Sequence, residues 1–212
     1  MALGLSGEIM PLRRLARRIF LALTGFVLAI SGTALPAMAD KVGVAAAVNP
    51  DAFSSLAGSP KTQLNIGKSI FYNERINTTT SGLVQVLLVD GSTFTVGPGS
   101  DLVIDKFVYN PSKGTGEIAA SFSKGVMRFV GGKISKNEDA VAIKTPAGSL
   151  SIRGCIVMLE VKNPTNFTAL LVYGDEMKWK GVSGQQLVLP AGQWYLWSEW
   201  GFKNRASHAQ RH

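Results

Sequence analysis

Apolar and polar positions divide the chain into two regimes. Ile19–Ile30 is an uncharged, largely apolar run, followed by the helix-weakening Ser31, Gly32 and Thr33. From Leu64 onward, short β-branched and aromatic runs recur, each closed by Gly, Pro, Asn or Asp. Such runs predict strands. They fall at 69–72, 75–78, 83–89, 92–96, 101–107, 116–123, 125–130, 140–145, 149–153, 155–162, 168–173, 177–180, 185–189 and 193–197. Their spacing of roughly 6–12 residues is the rhythm of all-β architectures. No 3.6-residue stripe stands out beyond the first segment.

One hairpin is explicit. Leu83–Val89 and Ser92–Val96 flank Asp90-Gly91, a pair suited to tight turns because both positions accept positive φ. Along the second strand Ser92, Thr93 and Thr95 alternate with Phe94 and Val96, giving one wet and one dry face. Gly97-Pro98-Gly99, Gly114–Gly116 and Gly131-Gly132 mark sharp corners, as in a chain that coils or folds back repeatedly.

The opening segment reads as an address. Arg13, Arg14, Arg17 and Arg18 precede the apolar run, and Ala34-Leu35-Pro36-Ala37-Met38-Ala39 follows it. That order describes a secretory signal peptide over residues 1–39, cut between Ala39 and Asp40, with Ala37 and Ala39 in the two small-residue positions. The alternative is an uncut anchor. A spanning helix needs about 20 apolar residues, and the run approaches that length only if counted through Leu35. Arg17-Arg18-Ile19-Phe20-Leu21 resembles a twin-arginine motif, which leaves the export route open, and Met10 is an alternative start. The expected organisation is signal peptide 1–39, flexible arm 40–62 with a short strand near Lys41–Ala46, β domain 63–200 and polar tail 201–212.

Composition narrows the partners. The chain carries 22 basic and 14 acidic residues. Removing four leader arginines and Glu8 leaves 18 and 13, and part of that excess is Lys203, Arg205 and Arg211 in the tail. A nucleic-acid role is poorly supported, because no basic stripe alternates with aromatics. Cys155 is the single cysteine, so no intramolecular disulfide forms, and its apolar surroundings read as core.

The ordered motifs resemble the FecR domain family. Leu64–Tyr72, Glu74–Thr78 and Leu83–Ser100 are similar to its first half, with the hairpin Asp90-Gly91-Ser92 running into Gly97-Pro98-Gly99-Ser100. Lys124–Phe129, Thr145-Pro146 and Ser151-Ile152-Arg153-Gly154 are similar to its second half, and Leu171–Glu176 to its close. The likeness spans residues 60–180. It implies a periplasmic, all-β domain of solenoid or roll-like form that binds other proteins or envelope ligands; a β-sandwich is the alternative. The family's best-known members are transmembrane regulators with a cytoplasmic sigma-factor-binding segment, whereas here 18 residues precede the apolar run. Cys155 stands where the family usually has a small residue.

Catalytic signatures are not found. There is no G-x-S-x-G elbow, phosphate loop or H-E-x-x-H, and both histidines, His208 and His212, are terminal. Asp101 and Asp105 share a strand face but lie roughly 13 Å apart by strand rise, long for acid–base partners. Asn77-Thr78-Thr79 and Asn166-Phe167-Thr168 match glycosylation sequons without meaning in a bacterium. Trp194, Tyr195, Trp197 and Trp200 cluster late and form a candidate aromatic partner surface. The expectation is therefore a non-enzymatic periplasmic binding or scaffold module without cofactor or metal, whose partner is an envelope protein or glycan. Alternatives are an accessory to iron-responsive sigma-factor signalling and a carbohydrate-active β-solenoid that would need Asp101, Asp105, Glu117 and Glu160 to converge.

Overall fold

The computed structural model describes residues 40–205 apart from 175, 193, 199 and 200. The expected leader with Ala37 and Ala39 lies outside these residues; Asp40 is exposed just before the first strand. Among the described residues no helix is long and apolar enough to cross a membrane.

Seventeen strands follow in order: β1 (Lys41–Asn49), β2 (Ala52–Ser55), β3 (Thr62–Gln63), β4 (Ser69–Phe71), β5 (Arg75–Thr78), β6 (Leu83–Leu88), β7 (Thr93–Val96), β8 (Asp101–Asn110), β9 (Thr115–Val130), β10 (Val141–Thr145), β11 (Gly148–Arg153), β12 (Ile156–Asn163), β13 (Asn166–Tyr173), β14 (Glu176–Gly181), β15 (Gln186–Leu189), β16 (Trp194–Ser198) and β17 (Gly201–Arg205). A 3-10 turn at Ile134–Lys136 follows β9.

Strand pairing resolves these into two sheets joined through β9. The first runs β4-β1-β6-β7-β9-β12-β13-β16-β17. The second runs β3-β2-β5-β8-β9-β10-β11-β14-β15. The chain delivers successive hairpins to alternate sheets: β10–β11 to the second, β12–β13 to the first, β14–β15 to the second, β16–β17 to the first. This winding is the roll-like all-β form that the resemblance implies. Every pairing described is antiparallel except that of β9 with β10.

β9 explains the join. Thr115–Lys124 pairs with β8 in the second sheet, and Gly125–Val130 pairs with β12 in the first. The sequence suggested two strands broken near Gly125. The glycine bends one continuous strand instead: its φ is +94°, and a Cβ there would lie 2.2 Å from Ser100 Oγ. A larger residue would be strained at that φ and would collide as well.

The core lies between the sheets and follows the period-2 alternation. Val84, Val86, Phe94, Val96, Phe129 and Val157 point inward from the first sheet; Leu102, Ile104, Ile118, Ile143 and Leu150 answer from the second. Contact across the layers is direct, for Phe167 of β13 stacks on Trp179 of β14 with ring centroids 6.2 Å apart. Full burial of such a side chain contributes roughly 1.5–3 kcal/mol.

The ends of the domain differ from the sequence expectation. The segment expected as a flexible arm with a short strand near Lys41–Ala46 forms β1 there, longer than expected, and β2 and β3 besides; β1 pairs with both β4 and β6. Val42, Ala45 and Ala52 are fully buried there. A register shift between Ala45 and Ala47 interrupts the alternation and hides the later part of the strand from a period count. At the other end, Gly201–Arg205 of the expected polar tail is β17, paired along β16.

Candidate functional site

The outer faces of the two sheets differ in chemistry. The second sheet presents Arg75, Asn77, Asp101, Lys144, Ser149, Ser151, Arg153 and Lys180 among its outward positions. The first presents apolar residues on several strands: Leu87, Val126, Met158 and Val172 are each roughly two-fifths exposed. Isolated exposed apolar residues are ordinary, but neighbouring ones on one sheet face point to a contact surface.

A groove opens in that face where the chain changes sheets. β7 ends at Val96 and Gly97-Pro98-Gly99 carries the chain to β8, beside the bend of β9 at Gly125. The apolar part of the groove, about 410 Å³, is lined by Leu83, Pro98, Val126 and Met158, with Arg128 and Glu160 at its sides. It continues past Pro98, Val126 and Glu160 into a more polar stretch of about 370 Å³ bounded by Lys124 and Lys162.

Backbone ties fix the wall. Gly97 N–H donates to the Val126 carbonyl at 2.8 Å. The Ser100 hydroxyl accepts from Val126 N–H at 2.9 Å and lies 3.0 Å from the Val126 carbonyl. Buried Thr78 accepts from Ser100 N–H at 2.9 Å and donates to the Gly97 carbonyl. A Cβ on Gly97 would lie 2.5 Å from Val126 Cγ2, so the missing side chain is what lets the corner and the strand close up.

The charges in the groove are unequal. Lys162 lies 3.7 Å from Glu160. Lys124 and Arg128 are exposed, and neither is in an ion pair among the described residues. Three cations and one carboxylate leave an unbalanced positive charge beside an apolar floor.

The motif residues singled out from sequence fall elsewhere, at turns. Asp90 is 2% exposed. It accepts from Ser92 N–H (3.0 Å), the Ser92 hydroxyl (2.7 Å) and Ile134 N–H (3.2 Å). Gly132 N–H in turn donates to the Ser92 hydroxyl at 2.9 Å. Asp90-Gly91-Ser92 is thus a buried clip that fastens the β6–β7 turn to the loop after β9. Gly91 sits at φ +87° inside it.

Thr145 donates from its hydroxyl to the Gly148 carbonyl at 2.9 Å, closing the tight β10–β11 turn at Pro146-Ala147. Arg153 is exposed at the end of β11; Gly154, at φ +59°, donates its N–H to the Ser135 carbonyl at 2.7 Å. Cys155 is buried, and its thiol donates to the Arg153 carbonyl at 2.7 Å.

Of the expected aromatic surface, Tyr195 alone has a described side chain. Tyr195 faces the core at 4% exposure, with its hydroxyl donating to the Pro190 carbonyl at 3.4 Å. Burial raises its pKa above the ordinary phenol value. Trp200 and the side chains of Trp194 and Trp197 lie outside the described residues. Sequence alternation alone does not say which face of a strand is inside.

The four candidate acids are dispersed. Asp101 meets Arg75 at 3.4 Å, Asp105 accepts from the Ser121 hydroxyl, and Glu117 pairs with Lys106 at 2.7 Å, all on β8 and the second-sheet half of β9. Glu160 sits on the first sheet in the groove. Among the described residues no group of three or more His, Cys, Asp or Glu could hold a metal ion. The sequence reading did not foresee the groove. Its signals were the Gly97-Pro98-Gly99 corner and the outward parity of Met158 within an unbroken apolar run.

Comparisons with known proteins agree with this architecture. No curated protein sequence matches the chain. A crystal structure of a candidate anti-sigma factor from Parabacteroides distasonis ATCC 8503 shares the fold, with a TM-score of 0.50 at 13% identity, and a second crystal structure under the same description aligns with a TM-score of 0.49 at 12% identity. Each alignment covers 64% of this chain and 61% of the other, so this chain spans about three fifths of those neighbours' length. The likeness at such identity is one of fold. Residues 74–174 match the model of the FecR protein family, and this stretch holds both the buried Asp90 clip and every residue lining the groove.

Proposed function

We propose that this chain is a non-enzymatic FecR-domain protein, exported to the periplasm, that binds a partner protein in envelope signalling through the outer face of its first sheet. One observation carries the reading: an apolar groove of about 410 Å³ opens on the outer face of the first sheet, within the FecR-matching stretch, while on the second sheet β5 and β11 turn Arg75, Asn77, Ser149, Ser151 and Arg153 outward. Apolar surface of this kind marks a place where something docks. The pattern of residues 1–39 supports export. The family match, and the description of the fold neighbours as candidate anti-sigma factors, support a signalling context.

The dispersed acids argue for binding over catalysis. A glycoside hydrolase needs two carboxylates within about 5–10 Å across a substrate. Here Glu160 is on one sheet and its candidate partners are on the other.

Site-specific photo-crosslinking in the native envelope tests the reading. A crosslinker at Met158 is expected to capture a discrete protein, and one at Lys144 on the second sheet's outer face is not. Capture from a second crosslinker at Leu83, elsewhere in the groove lining, should be abolished by Met158→Asp, which should shift stability by less than about 1 kcal/mol because the Met158 side chain is already 42% exposed. Equal capture from both positions, or capture unaffected by Met158→Asp, would sink the proposal.

A further inference from the structure

We infer that the groove takes an extended segment of the partner carrying two carboxylates around an apolar residue, in the order acid, any, apolar, any, acid. This inference rests on the partner-binding reading above and specifies its chemistry.

The argument starts from parity on β9. Lys124, Val126 and Arg128 alternate along the strand, with Lys124 and Arg128 exposed and Val126 38% exposed. Four residues of strand span roughly 13 Å, somewhat less across the bend at Gly125. The groove follows this line: its apolar part reaches Arg128, and its polar part ends at Lys124 and Lys162. Between the charges lies Val126, with Pro98 beside the groove and Glu160 opposite on β12, while Met158 stands opposite Arg128 at that end.

An extended segment repeats the same period, so its side chains at i, i+2 and i+4 share one face. Carboxylates at i and i+4 then meet Arg128 at one end and Lys124 with Lys162 at the other. The apolar side chain at i+2 rests on Val126 and Pro98, with Glu160 across from Val126 and Met158 one step away beside Arg128. Charge favours this occupant, because Glu160 offsets only one of the three cations. A basic segment would face uncompensated repulsion, and a wholly apolar one would leave Arg128 and Lys124 without the pairing that fixes orientation. The backbone of Val126 is already bonded to Gly97 and Ser100, so recognition here runs through side chains on the sheet face rather than through an added strand.

The test uses the full chain and a displayed library of random 12-residue peptides. Enriched sequences should carry the acid–x–apolar–x–acid pattern. The best synthetic peptide, followed by fluorescence anisotropy, should bind at least tenfold more weakly to Lys124→Glu/Lys162→Glu and to Arg128→Glu. It should also weaken at least tenfold when its acids become amides. A peptide with lysines replacing the acid that meets Lys124 and Lys162 should regain affinity for the doubly reversed protein.

Enrichment of neutral or basic peptides that still require Met158 would overturn the acidic pattern while leaving the groove as the partner site. Unchanged binding to the charge-reversed variants would do the same. No enrichment at all would overturn both this inference and the partner-protein reading.

Discussion

Asp90→Ala tests whether the turn motif is a buried structural clip. In the folded chain the carboxylate is 2% exposed and accepts three hydrogen bonds, from Ser92 N–H, the Ser92 hydroxyl and Ile134 N–H. Alanine keeps the backbone, including the Lys133 N–H bond to the residue 90 carbonyl, but removes all three side-chain acceptor contacts. The hydroxyl can turn to another acceptor. The two backbone amides cannot, and each buried donor left unsatisfied costs about 1–3 kcal/mol. The expected loss is therefore about 3 kcal/mol, against a total of roughly 5–15 kcal/mol for an ordinary domain.

At 2–4 °C per kcal/mol for a domain of this size, Tm should fall by about 6–12 °C. Urea denaturation should show a lower midpoint at unchanged slope, which separates lost stability from a changed denatured state. The clip is mutual, because the Ser92 hydroxyl also accepts from Gly132 N–H. Asp90→Ala combined with Ser92→Ala should therefore cost less than the two single losses added together, with coupling on the order of 0.5–3 kcal/mol. A loss below about 1 kcal/mol for Asp90→Ala, or strict additivity, would show that the carboxylate is not holding the loop.

Two further outcomes follow from buried groups. Cys155 is enclosed in the core with its thiol bonded to the Arg153 carbonyl, so an aromatic disulfide reagent should leave it unmodified in the native chain and label it on unfolding; rapid native labelling would contradict its placement. Burial raises the Tyr195 pKa, so its neutral form is favoured in the folded state. Its contribution is fully present below the ordinary phenol value of about 10 and is lost as pH rises through the higher folded value. Replacing Tyr195 with Phe should flatten that alkaline decline in stability, and an unchanged pH profile would count against the burial.

How much could be read from the chain depended on where its alternation was clean. β5, β6 and β7 were visible because Ile76, Val84, Val86 and Phe94 alternate with polar or exposed neighbours. Only the first part of β1, near Lys41–Ala46, was legible, because alanine has little pattern and the register slips between Ala45 and Ala47. Gly125 looked like a break because a residue at positive φ ends most strands, yet here it carries one strand between two sheets. Met158 was concealed in Cys155–Leu159, an unbroken apolar run that reads as core on both faces. Pairing β12 against β9 and β13 sets the parity and turns Met158 outward while Val157 and Leu159 stay buried.

The groove also shows why fold and binding must be probed at different residues. Its wall is made where two chain segments change sheets side by side, at Gly97–Ser100 and Lys124–Val126. Side chains are withdrawn there because the backbones approach too closely to hold them: a Cβ on Gly97 meets Val126, and one on Gly125 meets Ser100. Thr78 and Ser100 then bind the corner to β9 from within the core. A substitution at Gly97, Ser100 or Gly125 therefore disturbs the join between the sheets, and a loss of partner binding caused by it carries no information about contact. Met158, Lys124, Lys162 and Arg128 occupy the opposite position. They project from strands whose inward neighbours hold the core, so they can change chemistry while the roll stands. Only at those outward positions does a change in affinity report on the surface rather than on the scaffold that forms it.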